Sequence, residues 1–249
     1  MIKAITFDLW DTVIIDESDE PKRKSIGIPS KSVERRNLVY NALKKTKSIA
    51  RMKVDTAYNA IDIAFKHVWY NNHVTWSVKE RLQILLDGLK RNLSEKDLLK
   101  LVQLHEEMEL EIKPDLAPGI ADALVILQRK YRLGVISDTI FSPGHTLRSL
   151  LDYYKVKKYF DTFTFSDEIG RAKPDPAVFK AAANSLAVGI HEIVHIGDHE
   201  KKDVFGPHRV GAMAILSTVV IDRGKNITKA DAVCTDYKDL PNIIQELNK

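Results

Sequence analysis

The stretch Ile2-Lys-Ala-Ile-Thr-Phe7-Asp8-Leu-Trp10-Asp-Thr12 decides how the rest of the chain is read. Ile2 to Phe7 is a short apolar run with β-branched and aromatic residues, the composition of a buried strand. It ends on an acid, and a polar turn follows. No second strand of this kind appears until past residue 115. From about 31 to 112 the spacing is helical, with almost no glycine. Val33, Leu38, Ala42 and Leu43 make one apolar stripe, and Ala60, Ile61, Ala64, Phe65 and Val68 a second. Leu82, Leu85, Leu86 and Leu89 make a third, and Leu98, Leu99, Val102 and Leu104 a fourth. Ser94 with Asp97 reads as a capping box for that fourth helix. Four such helices with short connections predict a small bundle.

After Pro114 and the Pro118-Gly119 turn, helices alternate with β-branched strands. Strands are predicted at Leu133–Ile136, Thr162–Phe165, Ile193–Ile196, Ala212–Leu216 and Ala232–Cys234. Helices are predicted at about 119–130, 144–154, 175–187, 203–210 and 239–247. This alternation predicts an α/β fold with a parallel sheet covered on both faces. Residues 1–14 and 115–249 form that core, and residues 15–114 are inserted in it as an all-α helical cap.

Composition narrows the function. The chain has 249 residues, 44% of them hydrophobic and 29% charged, enough apolar material for a sizeable core. Its single cysteine, Cys234, excludes an internal disulfide and a Cys-rich zinc site. The apolar run around Val210–Ile221 is too short and broken to span a bilayer. The N-terminal residues lack a signal-peptide pattern, so the expected compartment is cytoplasmic. The net charge of +4 comes from 38 basic and 34 acidic residues, interleaved almost everywhere. Neither a nucleic-acid nor a membrane partner is therefore expected. The basic stretch Lys22–Lys53, with Arg35-Arg36, reads first as the outer face of a helix, with attraction of an anionic substrate and contact by Arg35-Arg36 as the alternative. Trp69, Tyr70 and Trp76 read as bundle core for at least one of the three. His195, His199 and His208 lack zinc-site spacing.

Ligands of a parallel sheet sit at the carboxyl ends of its strands. Asp8 follows the first strand, Ser137 and Asp138 the second, Lys173 the third after a glycine-containing loop, and Asp198 the fourth, with Asp203 beyond it. A carboxylate can attack phosphorus and form an acyl phosphate that water then cleaves. Clustered carboxylates suit octahedral Mg²⁺. A serine hydroxyl and a lysine can hold phosphate oxygens.

These residues carry a resemblance. Asp8-Leu-Trp-Asp-Thr12, Ser137, Gly170-Arg-Ala-Lys-Pro-Asp-Pro176 and Gly197-Asp-His-Glu-Lys-Lys-Asp203 resemble, in order, the four motifs of the haloacid dehalogenase superfamily of hydrolases. The resemblance covers nearly the whole chain. It implies a Rossmann-like three-layer core, an aspartyl-phosphate intermediate on Asp8, and Mg²⁺ held by Asp8, the Trp10 carbonyl, Asp198 and Asp203. It gives Thr12, Ser137, Asp138 and Lys173 the phosphate or the orientation of Asp8. The expected substrate is a small phosphorylated metabolite, and the expected state a monomer or homodimer.

One departure matters. Phosphatases of this superfamily usually carry a second aspartate two residues after the nucleophile, as general acid and base. Trp10 occupies that place, and Asp11 comes one residue late. General acid–base help is worth about 10²–10⁴-fold. Trp10 also reads as an apolar wall of the site. Carbon–halogen or carbon–phosphorus hydrolysis, and phosphate-ligand binding with little turnover, therefore stay open as alternatives.

Overall fold

The computed structural model describes residues 1–249. Its centre is a six-stranded, wholly parallel sheet in the order β3-β2-β1-β4-β5-β6. The strands are β1 (Ala4–Phe7), β2 (Arg132–Ser137), β3 (Thr162–Phe165), β4 (Ile193–Gly197), β5 (Met213–Ser217) and β6 (Ala232–Cys234). β1 to β4 are buried almost throughout, as a sheet covered on both faces requires. The covering helices of this part are α7 (Ile120–Leu127), α8 (Gly144–Tyr153), α9 (Ser166–Ile169), α10 (Pro176–Ser185), α11 (Gly206–His208) and α12 (Leu240–Leu247). This is the predicted α/β class, with strand order reversing beside β1. That reversal opens a crevice at the strand ends.

Between β1 and α7 lie only helices: α1 (Asp19–Ser25), α2 (Lys31–Thr46), α3 (Arg51–Asn72), α4 (Val78–Gly88), α5 (Glu95–Glu106) and α6 (Met108–Glu111). α2 to α5 surround an apolar cluster of their own, including Val39, Leu43, Val54, Tyr58, Leu82, Leu85 and Leu101. No helix of the chain is long and apolar enough to cross a membrane.

Several local expectations change. α1 was not foreseen, because its sequence Asp-Glu-Pro-Lys-Arg-Lys-Ser has no apolar stripe. On α2 the buried face is Lys31, Arg35, Val39 and Leu43, one residue per turn. Val33 is instead 45% exposed. Two cations take inward places because acids wait for them there: Lys31 pairs with Asp19 and Arg35 with Glu109. On α5, Leu98, Leu101, Val102 and His105 are buried, while Leu99 and Leu104 are exposed. Ser94 does accept the Asp97 amide, but its hydroxyl donates to the Asp97 carboxylate. The complete capping box is Ser77 with Glu80, at the start of α4. The predicted helix 203–210 is a π-helical turn, Glu200–Phe205, running into α11. Wide turns of this kind often occur at functional sites.

Candidate active site

Register delivers the acids to one place. Phe7, the last residue of β1, is paired with Val135 of β2 and Ile196 of β4. Asp8 therefore leaves the sheet between two longer neighbours. Its amide donates to the Ile196 carbonyl at 2.8 Å. One residue past β4 stands Asp198. The π-helical turn then brings Asp203 back beneath the strand end. Gly197 permits this return, since a Cβ there would lie 2.3 Å from Asp203 Cγ. Asp8, Asp198 and Asp203 are all buried, and each offers a carboxylate oxygen within 4.8 Å of the others. Clustered hard oxygen donors of this kind fit Mg²⁺.

Lys173 enters from the loop after α9. Its amide donates to Asp138 Oδ1 at 2.8 Å, which fixes the loop. Its Nζ lies 2.8 Å from Asp8 Oδ1 and 2.5 Å from Asp203 Oδ1. Asp203 also takes Nε2 of His195 at 3.1 Å on Oδ1 and the His199 amide at 3.0 Å on Oδ2. His195 Nδ1 faces the Thr6 hydroxyl at 2.9 Å. Since a carboxylate only accepts, the proton of neutral His195 sits on Nε2 and Thr6 donates to Nδ1.

The electrostatics follow from burial and proximity. Burial pushes the Asp8 carboxyl up to about 7, partly opposed by Lys173 and reinforced by Asp203 and Asp198. Burial alone would lower Lys173, but Asp203 and Asp8 outweigh it, so the ammonium is held firmly protonated. Burial would raise Asp203, but Lys173 and His195 hold it well below the usual carboxylate range. Asp198 is raised by burial and by Asp203, against the pull of Arg223. Burial lowers His195 and keeps it neutral.

A cavity of about 480 Å³ opens above these groups. That falls within the usual range for small-molecule sites, roughly 300–1,000 Å³. Asp8, Trp10, Asp138, Lys173, Asp198 and Asp203 line one side, and Lys31, Arg35, Phe65, Trp69, Tyr70 and Glu109 of the helical segment line the other. Trp69 is a wall residue more than bundle core. Lys202 Nζ lies 3.6 Å from the centre of its ring and 3.0 Å from Asp138 Oδ2, joining the two parts of the molecule.

Three expected residues stand differently from the rest. Ser137 is 1% exposed, lies outside the cavity lining, and makes only a 3.4 Å contact to the Asp138 carbonyl. Thr12 is fully buried behind the turn that follows β1, its carbonyl accepting from the Tyr237 hydroxyl at 2.7 Å and its own hydroxyl unpaired. Asp138 faces the cavity but has both oxygens engaged, by the Lys173 amide and Lys202. Its oxygens hold the Lys173 loop and the Lys202 ammonium in position.

Asp11, one residue after Trp10, lines the cavity with both carboxylate oxygens engaged. It has a left-handed φ of 53°, and Arg223 Nη2 binds its Oδ2 at 2.7 Å. Its Oδ1 accepts the Asp16 amide at 3.0 Å. Arg223 Nε bonds Asp198 Oδ2 in turn. Sequence reading missed Lys31, Glu109, Lys202 and Arg223 as site residues and ranked substrate contact by Arg35 below a solvated helix face. The four-residue spacing of Lys31 and Arg35 with Val39 and Leu43 was the available signal. The basic stretch is thus partly an inner face and not wholly an outer one.

Comparison with known proteins agrees with this geometry. The family model of haloacid dehalogenase-like hydrolases matches residues 2–211. The chain is 26% identical to a glyceraldehyde 3-phosphate phosphatase of Pyrococcus furiosus, over 100% of this chain and 94% of that one. It is 27% identical to a phosphorylated carbohydrates phosphatase of Thermotoga maritima, over 68% and 78%. A solved 2-haloacid dehalogenase of Pseudomonas syringae superposes with a TM-score of 0.70, at 20% identity, over 99% and 100%. That last likeness speaks to the fold alone.

Proposed function

The chain belongs to the haloacid dehalogenase-like hydrolases, and on that premise we propose that it is a phosphatase of a small phosphorylated metabolite with Asp8 as nucleophile. One observation carries this reading: Asp8, Lys173, Asp198 and Asp203 converge at one end of a single cavity whose far side is helical. The relatives named as phosphatases of glyceraldehyde 3-phosphate and of phosphorylated carbohydrates support the same substrate class. Residues 15–114 serve as a cap that closes the cavity over the substrate and limits water.

Asp8 attacks phosphorus, and the bond from phosphorus to the substrate oxygen breaks. The product is an aspartyl phosphate, which water cleaves to inorganic phosphate, restoring the carboxylate. Lys173 holds Asp8 in place and supplies a positive charge to the phosphoryl group. Asp203 and His195 anchor that lysine. Asp8 and Asp198 would hold Mg²⁺ with the Trp10 carbonyl, Asp203 bracing the site from below. Bound there, Mg²⁺ would offset the repulsion between the phosphoryl group and Asp8. Trp10 has no proton to give, so the leaving oxygen takes its proton from solvent. Acyl phosphates and activated esters should therefore react faster than simple alkyl phosphates.

The test is phosphate release in the presence of MgCl₂, with an aryl phosphate, an acyl phosphate and phosphorylated trioses and sugars. Turnover should fall by roughly 10⁴-fold or more in Asp8→Asn. It should also stop on addition of EDTA. Activity that survives either change contradicts the proposal.

A further inference from the structure

The helical side of the cavity holds a charge cluster that the reaction at Asp8 does not use. Lys31 and Arg35 lie one turn apart on α2, each 6% exposed. Lys31 Nζ donates to Asp19 Oδ1 at 2.7 Å and lies 3.5 Å from Glu109. Arg35 Nη2 donates to Glu109 Oε1 at 3.0 Å. The Ser142 hydroxyl donates to the other oxygen of Glu109 at 2.5 Å. The Arg35 guanidinium sits over Phe141, with Cζ 3.6 Å from the ring centre. This contact and the ion pair to Glu109 hold the fork in place. Its remaining donors are unspent, and Nε is buried with no hydrogen-bond partner. An unsatisfied buried donor of this kind is costly unless a ligand or water completes it. Buried Arg23 also has an unpartnered nitrogen, Nη1, but only Arg35 of the two lines the cavity that holds Asp8.

We propose that Arg35, with Lys31, forms a second anion subsite that takes the carboxylate of a short phosphorylated carboxylic acid while its phosphoryl group lies at Asp8. Two features select a carboxylate. A planar guanidinium fork matches a planar carboxylate through paired hydrogen bonds. The two cations are paired with Asp19 and Glu109, and Asp16 and Glu17 line the same cavity, so the subsite offers oriented donors with little positive excess. That suits a single negative charge. A second phosphate dianion would face Glu109 uncompensated, and a hydroxyl would leave most of the fork unpaired. This inference rests on the phosphatase reading for the position of the phosphoryl group, and it deepens that reading by naming the substrate class.

Two measurements keep the inference separable from that reading. In the first, kcat and KM are compared for phosphorylated hydroxy acids of two to four carbons and for their counterparts with –CH₂OH in place of the carboxylate. The acids should be preferred through KM at one chain length, by roughly 10- to 100-fold, the worth of a charged hydrogen bond. Arg35→Lys keeps the positive charge beside Glu109 but lacks the fork, and it should collapse that ratio toward one. Its melting temperature shows that the variant is folded. In the second, matched phosphonocarboxylates and phosphonoalcohols, which cannot be hydrolysed, are titrated calorimetrically into the wild type and Arg35→Lys. If no phosphate ester is turned over but the phosphonocarboxylate binds tighter and loses that advantage in Arg35→Lys, the subsite stands and the phosphatase reading falls. If esters are turned over without preference for the acids, or with a preference that Arg35→Lys leaves intact, the subsite is refuted and the phosphatase reading stands. Equal binding of acid and alcohol analogues likewise overturns the subsite.

Discussion

At the strand ends, three buried carboxylates share their space with one buried lysine, Lys173, while Arg223 reaches Asp198 from a more exposed loop. On the inner face of α2, two buried cations meet two buried carboxylates, Asp19 and Glu109. Both clusters lie on the same cavity, yet one carries an excess of negative charge and the other is balanced. Ions removed from water are tolerated only when they are paired and hydrogen-bonded. The second cluster pairs each cation with a carboxylate, but Arg35 Nε and Asp19 Oδ2 stay buried without hydrogen-bond partners. The strand-end cluster also meets that condition only in part: burial first, then Asp203 and Asp198, push Asp8 toward protonation against the pull of Lys173. The contrast separates a site whose donors suit a cation from one that presents oriented donors of its own.

The sharpest way to break this contrast is to remove Lys173. Lys173→Met leaves Asp8 and Asp203 facing each other without their shared cation. At pH 8 it should cost about 3–5 kcal/mol of stability, as for other broken buried pairs. Phosphatase activity should disappear as well. Urea melts beside the wild type measure the first effect. A variant as stable as the wild type would mean that the lysine is not the keystone of the strand-end cluster.

Asp8 and Glu109, one from each cluster, should also respond to pH with opposite sign. The Asp8 carboxyl rises from 3.8 to about 7 in the folded protein, so the folded state binds the extra proton between those values. Stability of the metal-free protein should therefore fall as pH rises through that window. The total is roughly 4 kcal/mol at most. Asp8→Asn should remove that slope. Glu109 moves the other way: burial would raise it, but Arg35 and Lys31 outweigh burial and hold it below 4.5. Its contribution is present above pH 4.5 and is lost as pH falls through the lowered value. Glu109→Gln should be less stable than the wild type near neutrality and should flatten the acid-side loss. Melting temperatures of the three proteins against pH, in EDTA, test both signs. Parallel curves would show that the clusters do not differ as described.

A smaller effect sharpens the account of Trp10. Trp10→Asp restores a carboxyl group two residues after Asp8. Rates on alkyl phosphates should rise by about 10- to 100-fold, with little change on acyl phosphates. No gain in a folded variant would mean that Trp10 does more than displace an acid.

Much of the strand-end half was legible in the sequence. β-branched runs ending in Asp8, Asp138 and Asp198 mark both the strands and the rim of the crevice, because a parallel sheet presents its strand ends together. The α2 half was not legible. Lys31 and Arg35 lie in a Lys- and Arg-rich stretch, which by composition reads as solvated surface. Only their helical phase with Val39 and Leu43 points inward, and their acidic partners come from α1 and α6, outside the bundle's apolar stripes. The fate of Asp11 was hidden more deeply still. It is decided by Arg223, 212 residues further along the chain. Ser137 and Thr12 fit the motif order, but motif order does not say which side of a cavity wall a small hydroxyl faces.

The central claim is that excess negative charge at the strand ends is arranged for attack by Asp8 on phosphorus. It is tested most directly by quenching turnover with acid, reducing with borohydride and mapping the peptide that contains residues 2–12. An aspartyl phosphate is reduced to homoserine, so the account predicts homoserine at position 8, formed only with Mg²⁺ and a phosphorylated substrate present. Steady phosphate release with Asp8 left unmodified throughout would contradict it.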